Sequence, residues 1–178
     1  MLKKQTVSWP ELQSLISKIC RDITISGWMP DYVVGITRGG LIPAVMISHW
    51  FDVPLETLKV SLRDRTDYGL ESNLWMAEDA FGYKDGGSDP ALRKNILIVD
   101  DINDTGATLN WIKEDWPEGC MPNDTAWNDV WGNNVRVATL FENLASESTL
   151  EVHYSGVEIN KAENNVWIDF PFEEWWTK

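Results

Sequence analysis

Hydrophobic positions fall in short runs that alternate with amphipathic stretches. The first element is a helix. Ser8 and Glu11 have capping-box spacing, Pro10 fits a first turn, and Leu12, Leu15, Ile16, Ile19 and Cys20 recur on one helical face. Gly27 to Pro30 reads as a turn. Tyr32 to Ile36 is a β-branched run of the kind that fills a strand buried on both faces. Thr37-Arg38-Gly39-Gly40 interrupts it, and a second helix is predicted from Leu41 to about Phe51. Leu55 to Leu62 predicts a strand, and Asn95 to Asp100 predicts the clearest strand of all, ending in two aspartates. A helix from Thr105 to about Glu114 follows it. Further strands are predicted at Val135–Phe141 and Val152–Ile159. Strands alternating with helices imply an α/β fold with a mostly parallel central sheet flanked by helices.

Two stretches break the alternation. Residues 63–94 are polar and rich in glycine, and a connection that long reads as a lid loop. Residues 114–134 are acidic, lack Lys and Arg, and carry Trp116, Trp127 and Trp131; they read as an irregular surface insertion anchored by its tryptophans. The whole chain of 178 residues fits one domain.

Charge removes some function classes. Fifteen basic against 28 acidic residues give a net charge of −13, which repels nucleic acid and anionic lipid at long range. No stretch approaches the roughly 20 apolar residues of a membrane span. Cys20 and Cys120 lie far apart without metal-ligand spacing, so neither a zinc motif nor a disulfide framework is expected, and the setting is read as cytoplasmic. The charge also suggests weak binding of small polyanions, and the local chemistry changes that.

The informative stretch is Ile96-Leu-Ile-Val-Asp-Asp-Ile-Asn-Asp-Thr-Gly-Ala-Thr108. An apolar strand delivers Asp100 and Asp101 to the carboxyl edge of the sheet, where ligands bind in open α/β folds. Backbone N–H groups from Asp104 to Thr108, with the Thr105 and Thr108 hydroxyls, can cradle a phosphate at a helix start. Two carboxylates would repel that phosphate unless they hold sugar hydroxyls or Mg²⁺. The pattern therefore points to a phosphorylated sugar bound with Mg²⁺. An EF-hand loop counted from Asp101 puts Thr105 and Ile112 where Asp or Asn and Glu belong, and is rejected. An aspartyl-phosphate hydrolase needs a second Asp where Asn103 stands. A loop that merely caps a helix leaves the ordered acids and Thr-Gly-Ala-Thr unexplained.

This stretch resembles the signature of the type I phosphoribosyltransferases: an apolar strand, two acids, two residues, then Asp-Thr-Gly, a small residue and Thr. Among subfamilies the chain looks most like the xanthine-guanine enzymes. Val34-Gly-Ile-Thr-Arg-Gly-Gly-Leu-Ile-Pro43 is similar to their pyrophosphate loop, and Trp167-Ile-Asp-Phe-Pro-Phe-Glu173 to their base-binding hood, here bounded as 160–178. The resemblance implies Mg²⁺-dependent transfer of ribose 5-phosphate from 5-phosphoribosyl 1-pyrophosphate (PRPP) to a purine of the hypoxanthine, guanine or xanthine type, in purine salvage. Its site residues follow. Asp100 and Asp101 would hold the ribose hydroxyls, Asp101 also positioning Mg²⁺. Asp104 would be the general acid/base near N7. Thr105, Gly106, Ala107 and Thr108 would bind the 5′-phosphate, and Thr37, Arg38 and Gly39 the pyrophosphate. Trp167 would stack on the base and Ile168 bond its edge through the backbone, with Arg63 and Arg65 as candidates to reach pyrophosphate from the lid. A homo-oligomer, dimer or tetramer, is implied too.

One position departs from the pattern. Where the xanthine-guanine enzymes end a strand with a lysine that bonds the purine O6, this chain has Asn143, whose amide can still donate to an exocyclic oxygen. Lys161, the next lysine, is too far along for a register shift to bring it there. Two other readings remain: a phosphoribosyltransferase for another base or acceptor, and a PRPP-binding sensor without catalysis.

Overall fold

Buried apolar runs joined by helices can pair only as a parallel sheet covered on both faces, and the computed structural model has that arrangement. It describes residues 3–60, 83–84, 87–119 and 124–177. The elements are β1 (Lys3–Thr6), α1 (Trp9–Ser26), β2 (Tyr32–Thr37), α2 (Leu41–Phe51), β3 (Leu55–Lys59), the short antiparallel pair β4 (Tyr83–Lys84) and β5 (Gly87–Ser88), β6 (Ile96–Asn103), α3 (Ala107–Gly119), α4 (Trp127–Val130), β7 (Val135–Asn143), β8 (Tyr154–Ile159) and β9 (Val166–Asp169).

Five strands form the central sheet in the order β3-β2-β6-β7-β8, all parallel. Alternating side chains divide between two cores. Val33, Leu97, Val99, Ala138 and Leu140 face α1 and α2. Val34, Ile36, Ile96, Ile98, Val135 and Val137 face the other way, onto Leu109, Ile112 and Trp116 of α3 and Trp127 and Val130 of α4. The α1 capping box forms as read: the Ser8 hydroxyl accepts from the Glu11 N–H, and the Glu11 carboxylate accepts from the Ser8 N–H. Such a cap contributes about 1 kcal/mol. Burial in this core pushes the Cys20 thiol up to about 11, so it acts as a small hydrophobe.

The chain steps from β2 outward to β3 and then crosses to β6 on the other side of β2. The loops after β2 and β6 therefore diverge, which opens a crevice at the carboxyl edge between these strands.

Four local expectations change. The aspartates lie inside β6 and not at its end, because the ladder with β7 continues to Asn103↔Glu142. Helix α3 starts at Ala107 and not at Thr105, since Gly106 has φ +87°, outside the helical region. The segment 114–134 is no irregular surface insertion among its described residues. Its first part continues α3 to Gly119, and Trp116 is fully buried, with its ring 6.0 Å from that of Trp131. Finally, residues 3–6 form a strand that pairs in parallel with β9, so the hood seen in 166–169 is built from both ends of the chain. Arg63, Arg65, most of the lid and Cys120 lie outside the described residues.

Candidate active site

A cavity of about 810 Å³ fills the crevice. Its floor is the end of β2 and the loop after it, with Thr37, Arg38 and Gly39, and the second half of β6, with Asp100 and Asp101. Asp104, Thr105, Gly106, Ala107 and Thr108 form one wall, and Trp167 and Ile168 of the hood the other. Among the described residues, all but one of the sequence-read site residues thus meet in one space.

The floor is tight. A Cβ on Gly39 would sit 1.9 Å from Oδ2 of Asp101, so only glycine lets the β2 loop lie against that carboxylate. The Thr37–Arg38 peptide is cis. Asp100 and Asp101 are held by local bonds. The Asp101 N–H donates to Asp100 Oδ1 at 2.9 Å, and the Ile102 N–H to Asp101 Oδ1 at 2.8 Å. Burial pushes the Asp100 carboxyl well up, and the charge of Asp101 adds to the rise. Burial pushes Asp101 up as well; bonds from Asp100 and the Ile102 N–H pull it back in part, and the charge of Glu173 opposes them. Two desolvated neighbouring carboxyls of this kind attract a cation or hydroxyl donors. Beside them the Thr139 hydroxyl lines the cavity, buried and without a hydrogen-bond partner among the described residues.

The wall formed by Asp104 to Thr108 is a helix start. Gly106 reaches its left-handed conformation pressed against backbone: a Cβ there would meet Ser148 N at 2.4 Å and Ser148 Cα at 2.7 Å. The Glu147 N–H donates to the Thr105 carbonyl at 3.1 Å, which pins the loop, while the start of α3 opens to the cavity. The Ala107 N–H donates to the Thr105 hydroxyl at 3.3 Å, and the remaining first-turn N–H groups with the helix dipole suit an anion. On the opposite wall Trp167 is 39% exposed between the buried Val166 and Ile168, so its ring is a platform and not a core side chain.

Asn143 is the exception. It is buried and does not line the cavity. Its Nδ2 donates to the Asp104 carbonyl at 2.8 Å, and its Oδ1 accepts from the N–H groups of Ala145 (3.2 Å) and Lys161 (3.0 Å). Nδ2 also reaches Asp104 Oδ1 at 3.5 Å, so the amide is spent within the protein and is not offered to a ligand. The lysine excluded by its distance in sequence arrives instead. Lys161, in the turn between β8 and β9, lines the cavity and places Nζ 2.8 Å from Asp104 Oδ2. No spacing rule identifies it, because strand pairing and not sequence proximity brings it there. Lys59 and Glu173 also line the cavity, and the sequence reading gave neither a role. Lys59 could have been found: it ends β3 in register with Thr37, at the carboxyl edge. Arg38, Lys59 and Lys161 bring three cations to a lining that also holds Asp100, Asp101, Asp104 and Glu173.

Among the described residues no cluster of three or more His, Cys, Asp or Glu side chains is arranged to hold a metal ion. One or two carboxylates suit Mg²⁺ where a substrate supplies the remaining oxygens. No described helix is long and apolar enough to cross a membrane.

Comparisons with known proteins agree with this geometry. The chain is 31% identical over 115 residues to the xanthine-guanine phosphoribosyltransferase of Chromohalobacter salexigens, covering 64% of this chain and 62% of that one. It is 27% identical over 146 residues to the enzyme of the same name from Roseobacter denitrificans, covering 79% and 67%. The chain spans about three fifths of the length of the first curated relatives it matches. Among solved structures, the purine phosphoribosyltransferase of Pyrococcus horikoshii superposes with a TM-score of 0.67 at 25% identity, over 96% of this chain and 95% of that one. Residues 3–174 match the phosphoribosyl transferase domain, and the chain belongs to that family.

Proposed function

We propose that the protein is a purine phosphoribosyltransferase, moving ribose 5-phosphate from PRPP to a base of the hypoxanthine, guanine or xanthine type. Pyrophosphate and a nucleoside 5′-monophosphate are the products, and the role is purine salvage. The observation that carries the reading is the adjacency of two desolvated carboxyls, an open helix start and an exposed tryptophan around one cavity. The names of the relatives support the purine class.

The residues divide the work by chemistry. The N–H groups and hydroxyls from Thr105 to Thr108 bind the 5′-phosphate. Asp100 and Asp101 accept hydrogen bonds from the ribose hydroxyls. Thr37, Arg38 and Gly39 receive the pyrophosphate, and Arg38 stabilises charge that grows on it as the C1–oxygen bond breaks. Trp167 stacks on the base and Ile168 offers backbone groups to its edge, so the attacking nitrogen is held against C1. The new C1–nitrogen bond forms as pyrophosphate leaves, and Asp104 takes the proton that the base gives up. Asp101 would hold Mg²⁺ together with substrate oxygens, and the ion would supply neutralisation of phosphate charge.

One cytoplasmic catalytic domain acting as a homo-oligomer, dimer or tetramer, completes the reading, and light scattering tests the assembly state. The activity test is a screen of free bases with Mg²⁺ and PRPP, read as pyrophosphate release. Turnover of guanine, hypoxanthine or xanthine supports the proposal. PRPP binding by calorimetry without turnover of any base would leave a sensor, and turnover of a non-purine alone would reassign the acceptor.

A further inference from the structure

Strand β1 gives no side chain to the core, since Lys3 to Thr6 are exposed throughout. What it offers is backbone. Its register pairs Lys4 with Trp167 and Gln5 with Ile168, and just past the strand the Val7 N–H donates to the Asp169 carbonyl at 2.9 Å. The peptide groups of successive strand residues point to opposite sides, so the Val7 bond sets which of them meet. The Gln5 N–H faces the Trp167 carbonyl, and the Gln5 carbonyl faces the Asp169 N–H. The N–H and carbonyl of Lys4 point away from β9. By the same alternation those of Ile168 point away from β1. Among the described residues no strand pairs with that second edge of β9, and Ile168 lines the cavity.

Gln5 therefore straddles Ile168. It ties the residues before and after it and leaves the peptide groups of Ile168 itself to a ligand. The strand so held is only four residues long, and a two-stranded pair is marginal on its own. Of its side chains, Val166 and Ile168 reach the core, whereas Trp167 is exposed. Without β1, β9 would turn about that two-residue anchor. A base would then meet a platform that has to be ordered on binding, which weakens binding without changing any contact. We propose that Gln5, through its backbone, is a positioning residue for the acceptor base, holding the Trp167 ring and the Ile168 peptide groups in register with the cavity. The role rests on the function proposed above. Because β1 pairs with β9 alone, the walls assigned to PRPP are outside its reach.

The test compares wild type, Gln5→Pro and Lys4→Pro. The first variant deletes the N–H that faces Trp167, and the second deletes one that faces away, where an edge strand tolerates proline. Neither removes a buried side chain. Measured are kcat and KM for guanine at saturating PRPP, and the calorimetric affinity for PRPP. Gln5→Pro raises the KM for guanine about three- to tenfold, the scale of one net hydrogen bond, with kcat and PRPP affinity unchanged, and Lys4→Pro behaves as wild type. Equal effects of the two variants, an unchanged KM for guanine, or a loss of PRPP affinity overturns the assignment. Amide hydrogen exchange on the wild-type chain decides the geometry even where Gln5→Pro does not fold. In the free protein the Asp169 amide exchanges at least about tenfold more slowly than that of Ile168, and added GMP slows Ile168. An Ile168 amide as protected as that of Asp169 before GMP is added overturns the assignment as well. Failure of the functional reading is separately visible, since wild type itself would then turn over no purine while the contrast between the two amides in the free protein would persist.

Discussion

Substituting Gly106 with alanine strikes the phosphate wall and the fold together. Two costs add. The residue sits at φ +87°, where an L side chain is strained by about 1–3 kcal/mol. Its new Cβ would also lie 2.4 Å from Ser148 N and 2.8 Å from the carbonyl carbon of Glu147. These are backbone atoms, and their segment is tied down: the Glu147 N–H bonds the Thr105 carbonyl, and the Glu147 carbonyl accepts from Asn110 Nδ2 at 3.0 Å. Relief must come from moving the loop, which costs about 1–3 kcal/mol more, as overpacking does. The total is about 2–6 kcal/mol, which at about 2–4 °C per kcal/mol for a chain of this size lowers the melting temperature by roughly 4–24 °C. Thermal melts of wild type and Gly106→Ala read the stability, and calorimetry reads PRPP affinity. Both should fall. A variant that melts within about 1 °C of wild type would refute the packing argument, whatever its activity. A variant that loses stability yet binds PRPP as wild type does would refute the placement of the phosphate.

Other outcomes follow from the same geometry. Asp100 is raised by burial and by Asp101, so the folded state holds a proton that the unfolded chain releases as pH rises through the carboxylate range. Asp100→Asn therefore melts higher than wild type near neutral pH, the gap closes on acidification, and activity is lost. A lower melting temperature near neutral pH would contradict this. His153 is held below its ordinary value chiefly by burial, and its Nδ1 accepts from the Val137 N–H at 3.2 Å. Folding stability should thus drop as pH falls through about 6.5, the free-histidine value, and a His153→Gln chain should show a flatter profile in urea titrations at pH 7.5 and 5.5. Trp167→Ala removes stacking worth about 1–3 kcal/mol. It should raise the KM for the base while the Kd for PRPP stays put; a change in PRPP binding instead would move the tryptophan off the base.

The sequence exposes what is coded contiguously. Ile96 to Thr108 carries its strand, carboxylates and phosphate loop in one run, so each can be placed from the order of residues alone, and Trp167 to Glu173 marks the hood for the same reason. Features that depend on distant pairing stay hidden. Residues 3–6 are exposed throughout and gain their strand only from β9, more than 150 residues on. The reading of 114–134 as surface followed its charge, yet Trp116 is fully buried because the acids take the outer face of α3 and the tryptophan the inner one. Asn143 and Lys161 show the limit most clearly. Asn143↔Ile159 pairing on β7 and β8 delivers the following turn to the end of β7, so a lysine 18 residues later occupies space that sequence distance denied it.

The most direct measurement of phosphoribosyl transfer is mass-spectrometric detection of nucleoside 5′-monophosphate from purified protein, Mg²⁺, PRPP and guanine, hypoxanthine, xanthine or adenine, with Asp104→Ala alongside. Wild type should form the nucleotide of at least one 6-oxopurine with equimolar pyrophosphate, and Asp104→Ala should form it at least about 100-fold more slowly, the scale of general-base catalysis. No nucleotide from any of the four purines would contradict the assignment.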